Sequence, residues 1–277
     1  MKALIGISKF YRPLAGALTL AAAITLAFPA QAETGSGWEK YQQGDFMGAL
    51  AVWKPLAMKG DAGAQFNVGV MYNDGRGVEQ DRKMALNWWN KAADNGDGQA
   101  QHNLAQAYAN GLGVKKDYKK AVALLKMAAK KGVIRSQYSL GKMYSSGFGV
   151  PQDHTEAFRW IKMAGEKGQV KAQYNLGKIY RDGRGVKKNI ETAAQWFLKA
   201  ALQDYGKAQN HIGTRLIEGK GIAQDKVRGM MFLILATNQG HKAAPMNMRK
   251  HGTKLTTKER LEAEMRAKKW APAEQMN

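Results

Sequence analysis

The stretch Gln65-Phe66-Asn67-Val68-Gly69, followed by Tyr72, Gly75-Arg76-Gly77-Val78, Asp81, Ala85, Trp88-Trp89, Lys91-Ala92-Ala93 and Gly96, decides how the chain is read. It recurs without insertion at a step of 36 residues, so that Tyr72 is followed by Tyr108, Tyr144 and Tyr180. The first glycine of the pair returns as Gly111, Gly147, Gly183 and Gly219, and the second as Gly113, Gly149, Gly185 and Gly221. A period of this length means one supersecondary unit stacked on copies of itself.

Each unit divides into two helical halves. In the first, Ala100, Leu104, Ala105 and Tyr108 share one helix face. The Gly-x-Gly-Val that follows stops the helix, because glycine enters left-handed geometry without a steric penalty. Asp81, Asp117, Asp153, Asn189 and Asp225 stand where the second helix needs an N-cap. That helix places Ala85, Trp88, Trp89 and Ala92 inward in one unit, and Ala157, Trp160, Ile161 and Ala164 in another. Alternating large and small residues lets neighbouring helices approach closely. Gly96, Gly132, Gly168 and Gly240 close the unit. The expected fold is an all-α solenoid of stacked antiparallel helix pairs, with five units over residues 64–243, starting near Ala64, Ala100, Ser136, Ala172 and Ala208.

Upstream, Asp45, Ala49, Trp53, Ala57 and Gly60 keep the phase, so residues 33–63 read as an N-terminal cap carrying half a unit. Its first helix is expected to be short or irregular, with Thr34 to Gly37 a flexible lead-in and Trp38 opening the folded part. Downstream, the fifth unit drifts, with Leu216, Ile222 and Gly229 where earlier units carry Tyr, Val and Ala. A partial unit from Ala244 leads to Thr256-Thr257-Lys258-Glu259, a capping box that starts a basic, amphipathic lid helix reaching Trp270. Residues 271–277 read as a frayed tail.

The run Ala172-Gln173-Tyr174-Asn175-Leu176-Gly177, with Tyr180, Gly183-Arg184-Gly185-Val186, Ala193, Trp196 and Lys199-Ala200-Ala201, resembles the Sel-one-like repeat, a relative of the tetratricopeptide repeat. Asn189 replaces its usual Asp and can still cap. The resemblance runs from about Asp45 to Gly240. It implies a right-handed superhelix that acts as a scaffold for protein–protein contacts and has no active site of its own. Secreted bacterial members resemble regulators and assembly factors of the cell envelope, some of which control exopolysaccharide production by holding a membrane sensor.

Lys and Arg number 43 against 22 Asp and Glu, a net charge of +21 that draws the chain toward anionic surfaces. The N-terminus narrows the compartment. Lys2, Lys9 and Arg12 form a basic leader, Leu14 to Ala30 is apolar, and Ala30-Gln31-Ala32 is a small-x-small cleavage signal. Residues 1–32 therefore read as a secretory signal peptide, leaving a periplasmic or secreted chain that starts at Glu33 with no stable membrane span. Cytosolic nucleic acid drops out as a partner. The absence of cysteine excludes disulfides, thiolate metal sites and a lipidated N-terminal cysteine.

Several motifs suggest chemistry and have plainer readings. Gly-x-Gly before a helix could cradle phosphate, but five copies with an Asp or Asn at the helix start make a turn. Ser139-Leu140-Gly141-Lys142 matches Ser-x-x-Lys, without the Ser-Asp-Asn or Lys-Thr-Gly partners of penicillin-recognising enzymes. Asp94-Asn95-Gly96-Asp97-Gly98 hints at a calcium loop, yet its twelfth position is Ala105, where a Glu is needed, so it reads as a helix end. His102, His154, His211, His241 and His251 show no metal-binding spacing. No catalytic residue, metal or cofactor is assigned, and the chain reads as a non-enzyme.

A partner is expected on the first helices. Positions one, five and nine pack inward, which puts three, seven and ten on the exposed side. These are Phe66, Val70 and Asn73, then His102, Gln106 and Ala109, then Tyr138, Lys142 and Ser145, then Tyr174, Lys178 and Arg181, then Asn210, Thr214 and Ile217. Aromatic residues beside Lys and Arg suit an interface anchoring an extended or helical segment of another envelope protein. Packing between units is the other reading of Tyr138 and Tyr174. An alternative function is binding of anionic polysaccharide or lipid, for which Lys115, Lys116, Lys119 and Lys120 form a basic run.

Overall fold

The repeat phase becomes geometry in a computed structural model that describes residues 29–272. Residues 1–28 of the expected leader (1–32) and residues 273–277 of the expected tail (271–277) lie outside the described residues. Five helix pairs follow the repeat: α3 (Ala62–Asp74) with α4 (Arg82–Asp94), α5 (Gly98–Asn110) with α6 (Tyr118–Lys130), α7 (Ile134–Ser146) with α8 (His154–Glu166), α9 (Val170–Asp182) with α10 (Ile190–Leu202), and α11 (Gly206–Glu218) with α12 (Lys226–Asn238). They are preceded by α1 (Pro29–Gln42) and α2 (Phe46–Met58) and followed by α13 (Ala244–Gly252) and α14 (Thr257–Lys268). Contacts run mainly between consecutive helices, which makes the chain an all-α solenoid.

The caps fall where the phase places them. Asp81, Asp117, Asp153, Asn189 and Asp225 accept backbone amide hydrogens of the second helices. The first helices begin two residues earlier than expected because Asp61, Asp97 and Gln169 cap them as well. Asp97 thus belongs to a helix start as much as to the preceding helix end.

The two glycines of each pair do different work. The first ends its helix in left-handed geometry, as Gly219 does at φ 67°. The second touches the preceding unit: a Cβ on Gly221 (φ 73°) would come within 2.6 Å of the Ile190 carbonyl oxygen at the start of α10. Gly77 meets Phe46 and Gly149 meets Tyr118 in the same way. Each link is closed by an amide of the cap residue donating to a carbonyl on the helix before it, Asp81 to Tyr72 and Asp117 to Tyr108, both at 2.9 Å.

A ladder runs through the interior. Gln65, Gln101, Gln137, Gln173 and Gln209 are all buried. Each Nε2 donates to a carbonyl near the end of the preceding unit's second helix, at 3.0 to 3.3 Å. A helix C-terminus leaves carbonyls without partners, and this ladder satisfies one per unit. The side chains of Asn95, Gln203 and Gln239 donate to the Oε1 of Gln65, Gln173 and Gln209. Lys131 and Lys167 hold the corresponding place in the two middle units. Where most units end on glycine, the fourth has Asp204 at φ 59°. Its carboxylate accepts from Gln209 and Gln239, both at 2.9 Å.

The ends depart from expectation. Helix α1 is neither short nor irregular, and it includes Thr34 to Gly37 instead of leaving them as a lead-in. Gly37 lies on the Trp53 indole, where a Cβ would come within 2.7 Å of Cδ1, and Trp38 stacks on Tyr41 at 5.2 Å. Tertiary packing overrides the poor helix propensity of Thr-Gly-Ser-Gly. Helix α1 ends at Gln42, past the in-phase position, and only Gln43-Gly44-Asp45 connects it to α2. In the fifth unit, Gly213 and Gly229 face each other: a Cβ on either would meet the other's carbonyl oxygen at 2.7 to 2.8 Å. Gly229 is therefore a close helix crossing. The capping box of Thr256 and Glu259 forms as expected, and α14 packs Ala263 and Ala267 into the last core cluster.

Candidate partner-binding face

The first helices lie side by side, joined by side-chain hydrogen bonds between units. His102 Nδ1 meets Ser136 Oγ at 2.8 Å, and Gln106 donates to Ser139 Oγ at 3.4 Å. Asn175 donates to the Tyr138 hydroxyl at 2.8 Å, and Asn247 to Asn210 Oδ1 at 2.8 Å. Position three of the helix is thus wedged against the next unit, buried at His102 and Asn210 and half-buried at Phe66, Tyr138 and Tyr174. His102 is the clearest correction: at 6% exposure it offers nothing to a partner. Burial, with Arg135 adding to it, lowers its pKa to about 4. Asn210 and Ile217 are buried too.

The other expected positions are half-buried, except Lys142, which is exposed. Phe66 and Val70 pack against the core between the first and second full units. Asn73 donates to the neighbouring Asp74 at 2.8 Å. Tyr138 packs on the cluster formed by Ile161, Ala164, Ala172 and Leu176. Tyr174 sits 5.8 Å from the Phe197 ring and 5.3 Å from that of Tyr205. Burial raises the pKa of all three tyrosines; at Tyr138 the bond from Asn175 works against the rise, while at Tyr174 the neighbouring Tyr205 adds to it. The tyrosines therefore pack between units and still keep part of each ring at the surface.

Cations collect around them. Lys178 lies over the Tyr174 ring at 5.9 Å. Burial lowers its pKa, and Arg181, Lys142 and Arg184 push in the same direction. Arg181 is held by both oxygens of Asp182, at 2.7 and 2.9 Å, and Arg184 reaches the same carboxylate at 4.0 Å. Ser139 and Lys142, the Ser-x-x-Lys pair, are a half-buried acceptor for Gln106 and an exposed ammonium. Among the described residues, no three or more His, Cys, Asp or Glu converge as a metal site, and no helix is long and apolar enough to cross a membrane.

Two members of this face escaped sequence reasoning. Tyr205 stands at the first-helix cap position that holds Asp61, Asp97 and Gln169 in other units, and that departure from phase was the available signal. His211 takes the place of Asn67, Asn103 and Asn175 and stacks on Phe197 at 4.8 Å.

Consecutive blocks at residues 62–97, 98–133, 134–169, 170–205 and 206–241 match the family model described as Sel1 repeat. The chain belongs to the Sel1 repeat family. A solved Sel1 repeat protein from Oxalobacter formigenes is similar at 26% identity and a TM-score of 0.73, covering 84% of this chain and 96% of that one. A protective antigen of uropathogenic Escherichia coli strains, displaying an SLR fold, is similar at 32% identity and a TM-score of 0.77 over 84% of this chain. This chain spans about half (51%) of that antigen's length. No curated protein matches the sequence. Sel1 repeats are in general non-catalytic scaffolds for protein–protein contacts, so the family assignment points to protein partners.

Proposed function

We propose that this chain is exported across the inner membrane, cleaved after Ala32, and acts without catalysis as a scaffold or regulator for an envelope process such as exopolysaccharide production. Its first-helix face holds a segment of another envelope protein. The observation that carries this reading is the contrast within each unit. Glycines, caps and the glutamine ladder repeat with little change, whereas Val70, Gln106, Lys142 and Lys178, at one register position of that face, differ in size and charge. Solenoids vary such positions to make a continuous recognition surface. A photoreactive residue placed at Gln106 or Lys142 is expected to cross-link one envelope protein in living cells, and the same residue at Lys162 on a second helix is not. Cross-links confined to Lys162 would overturn the reading.

A second reading, binding of anionic polysaccharide or lipid, rests on Lys115, Lys116, Lys119 and Lys120. All four are exposed, and none lies within ion-pair distance of a carboxylate among the described residues. Retention on an anionic polymer that falls steeply with salt, and is lost in Lys115→Glu with Lys116→Glu, would favour it. Salt-insensitive or absent retention would dismiss it.

A further inference from the structure

The first-helix face is graded along the solenoid. Its first two units present Phe66, Val70, Asn73 and Gln106, none of them charged. The next two present Lys142, Lys178 and Arg181 beside the partly exposed rings of Tyr138 and Tyr174. The nearby carboxylate, Asp182, is already held by Arg181 and approached by Arg184. Among the described residues Lys142 and Lys178 have no carboxylate within ion-pair distance. Two ammonium groups on the first helices of adjacent units, with Lys178 over the Tyr174 ring, form an unneutralised site.

We infer that the bound segment is acidic where it crosses the third and fourth units and uncharged where it crosses the first two, with paired carboxylates meeting Lys142 and Lys178. This rests on the first-helix face being the binding face. Adjacent packed helices sit about 8–10 Å apart. An extended chain in the polyproline II conformation, rising about 3.1 Å per residue with about three residues per turn, spans that gap in about three residues with both side chains on one face, and a helix rising about 1.5 Å per residue does so in about six or seven. The partner's acidic residues therefore recur at i and i+3 if it binds extended, or at i and i+7 if it binds as a helix. Its apolar groups meet the tyrosine rings, whose part-buried edges are already ordered and cost little further entropy to use.

The test uses fluorescein-labelled peptides and the full-length mature protein, read by fluorescence anisotropy at low salt. One peptide carries Glu at every third position with Leu and Thr between; its counterpart has Gln in place of each Glu. Exposed pairs are worth up to about 1 kcal/mol each, so reversing two charges should weaken the Glu peptide roughly tenfold. Lys142→Glu with Lys178→Glu is expected to do this and to gain affinity for a Lys-containing peptide. Lys115→Glu with Lys116→Glu, on the link of the second full unit, is expected to leave binding unchanged. Equal affinity for Glu and Gln peptides, equal loss in both double variants, or competition by dextran sulfate or anionic vesicles at matched charge would overturn the inference. Cross-linking from Gln106 that survives such a result would leave the binding-face reading standing; cross-linking only from second helices would sink both.

Discussion

Gly219 and Gly221 have nearly equal backbone angles, φ 67° and 73°, and very different surroundings. A Cβ on Gly219 would find its nearest neighbour, Gln224 Cβ, at 3.4 Å, which is ordinary contact. A Cβ on Gly221 would lie 2.6 Å from the Ile190 carbonyl oxygen and 2.7 Å from Ile190 Cγ2, so the fourth and fifth units would have to separate. Gly219→Ala should cost the left-handed strain alone, about 1–2 kcal/mol. Gly221→Ala carries the same strain plus overpacking of about 1–3 kcal/mol. The difference between the two variants isolates the inter-unit contact. Urea unfolding followed by circular dichroism should show a lower midpoint for Gly221→Ala. Because solenoid units can unfold separately, hydrogen exchange should rise most in peptides from α11 and α12. Equal midpoints and equal exchange would refute the claim that the second glycine of the pair joins units.

The glutamine ladder gives a paired prediction: Gln173→Leu loses a bond to Gly165 and one from Gln203, whereas Gln101 Oε1 has no partner. Gln173→Leu should cost about 1–3 kcal/mol and Gln101→Leu less, as measured by thermal melts of the two variants side by side. Acid should destabilise the protein through His102, whose folded pKa of about 4 lies below the usual value of 6.5. The unfolded chain then binds the proton first, so stability is full above pH 6.5 and falls as the pH drops to 4, by about 3 kcal/mol at most. His102→Asn should flatten that part of the pH profile; an unchanged slope would remove His102 from the account. Mass spectrometry of the exported protein should find Glu33 at the N-terminus, and an intact leader would contradict export by cleavage.

Much of the fold was legible because the phase overlays equivalent residues. A single Asp before a helix is weak evidence, but Asp81, Asp117, Asp153, Asn189 and Asp225 at one step predict five caps, and all five form. Contacts between units were not legible. The neighbour of Gly221 is Ile190, far upstream in the chain, and a glycine read locally says only that a helix stops. Helix α1 is hidden from a local reading for the same reason, since Gly37 packs on Trp53 of the next helix. The geometry of one isolated helix puts His102 on the exposed side. The next first helix covers that position with Ser136, and period-counting within a helix cannot see its neighbour.

That correction sharpens where recognition can reside. If position three is consumed in joining first helices, positions seven and ten carry most of the freedom to differ. There the net charge of +21 is a poor guide, because the lysines of two links, Lys115-Lys116 and Lys187-Lys188, are solvated at the edge of the solenoid. What distinguishes a cation able to hold a partner is the state of its counter-charge. Arg181 and Arg184 already share Asp182, and losing that bond would offset much of what a partner's carboxylate contributes. Lys142 and Lys178 have no such bond to lose, and Lys178 is already partly desolvated against Tyr174. Removing either ammonium should therefore weaken an acidic partner more than removing Arg184, even though Arg184 is the more exposed of the two arginines.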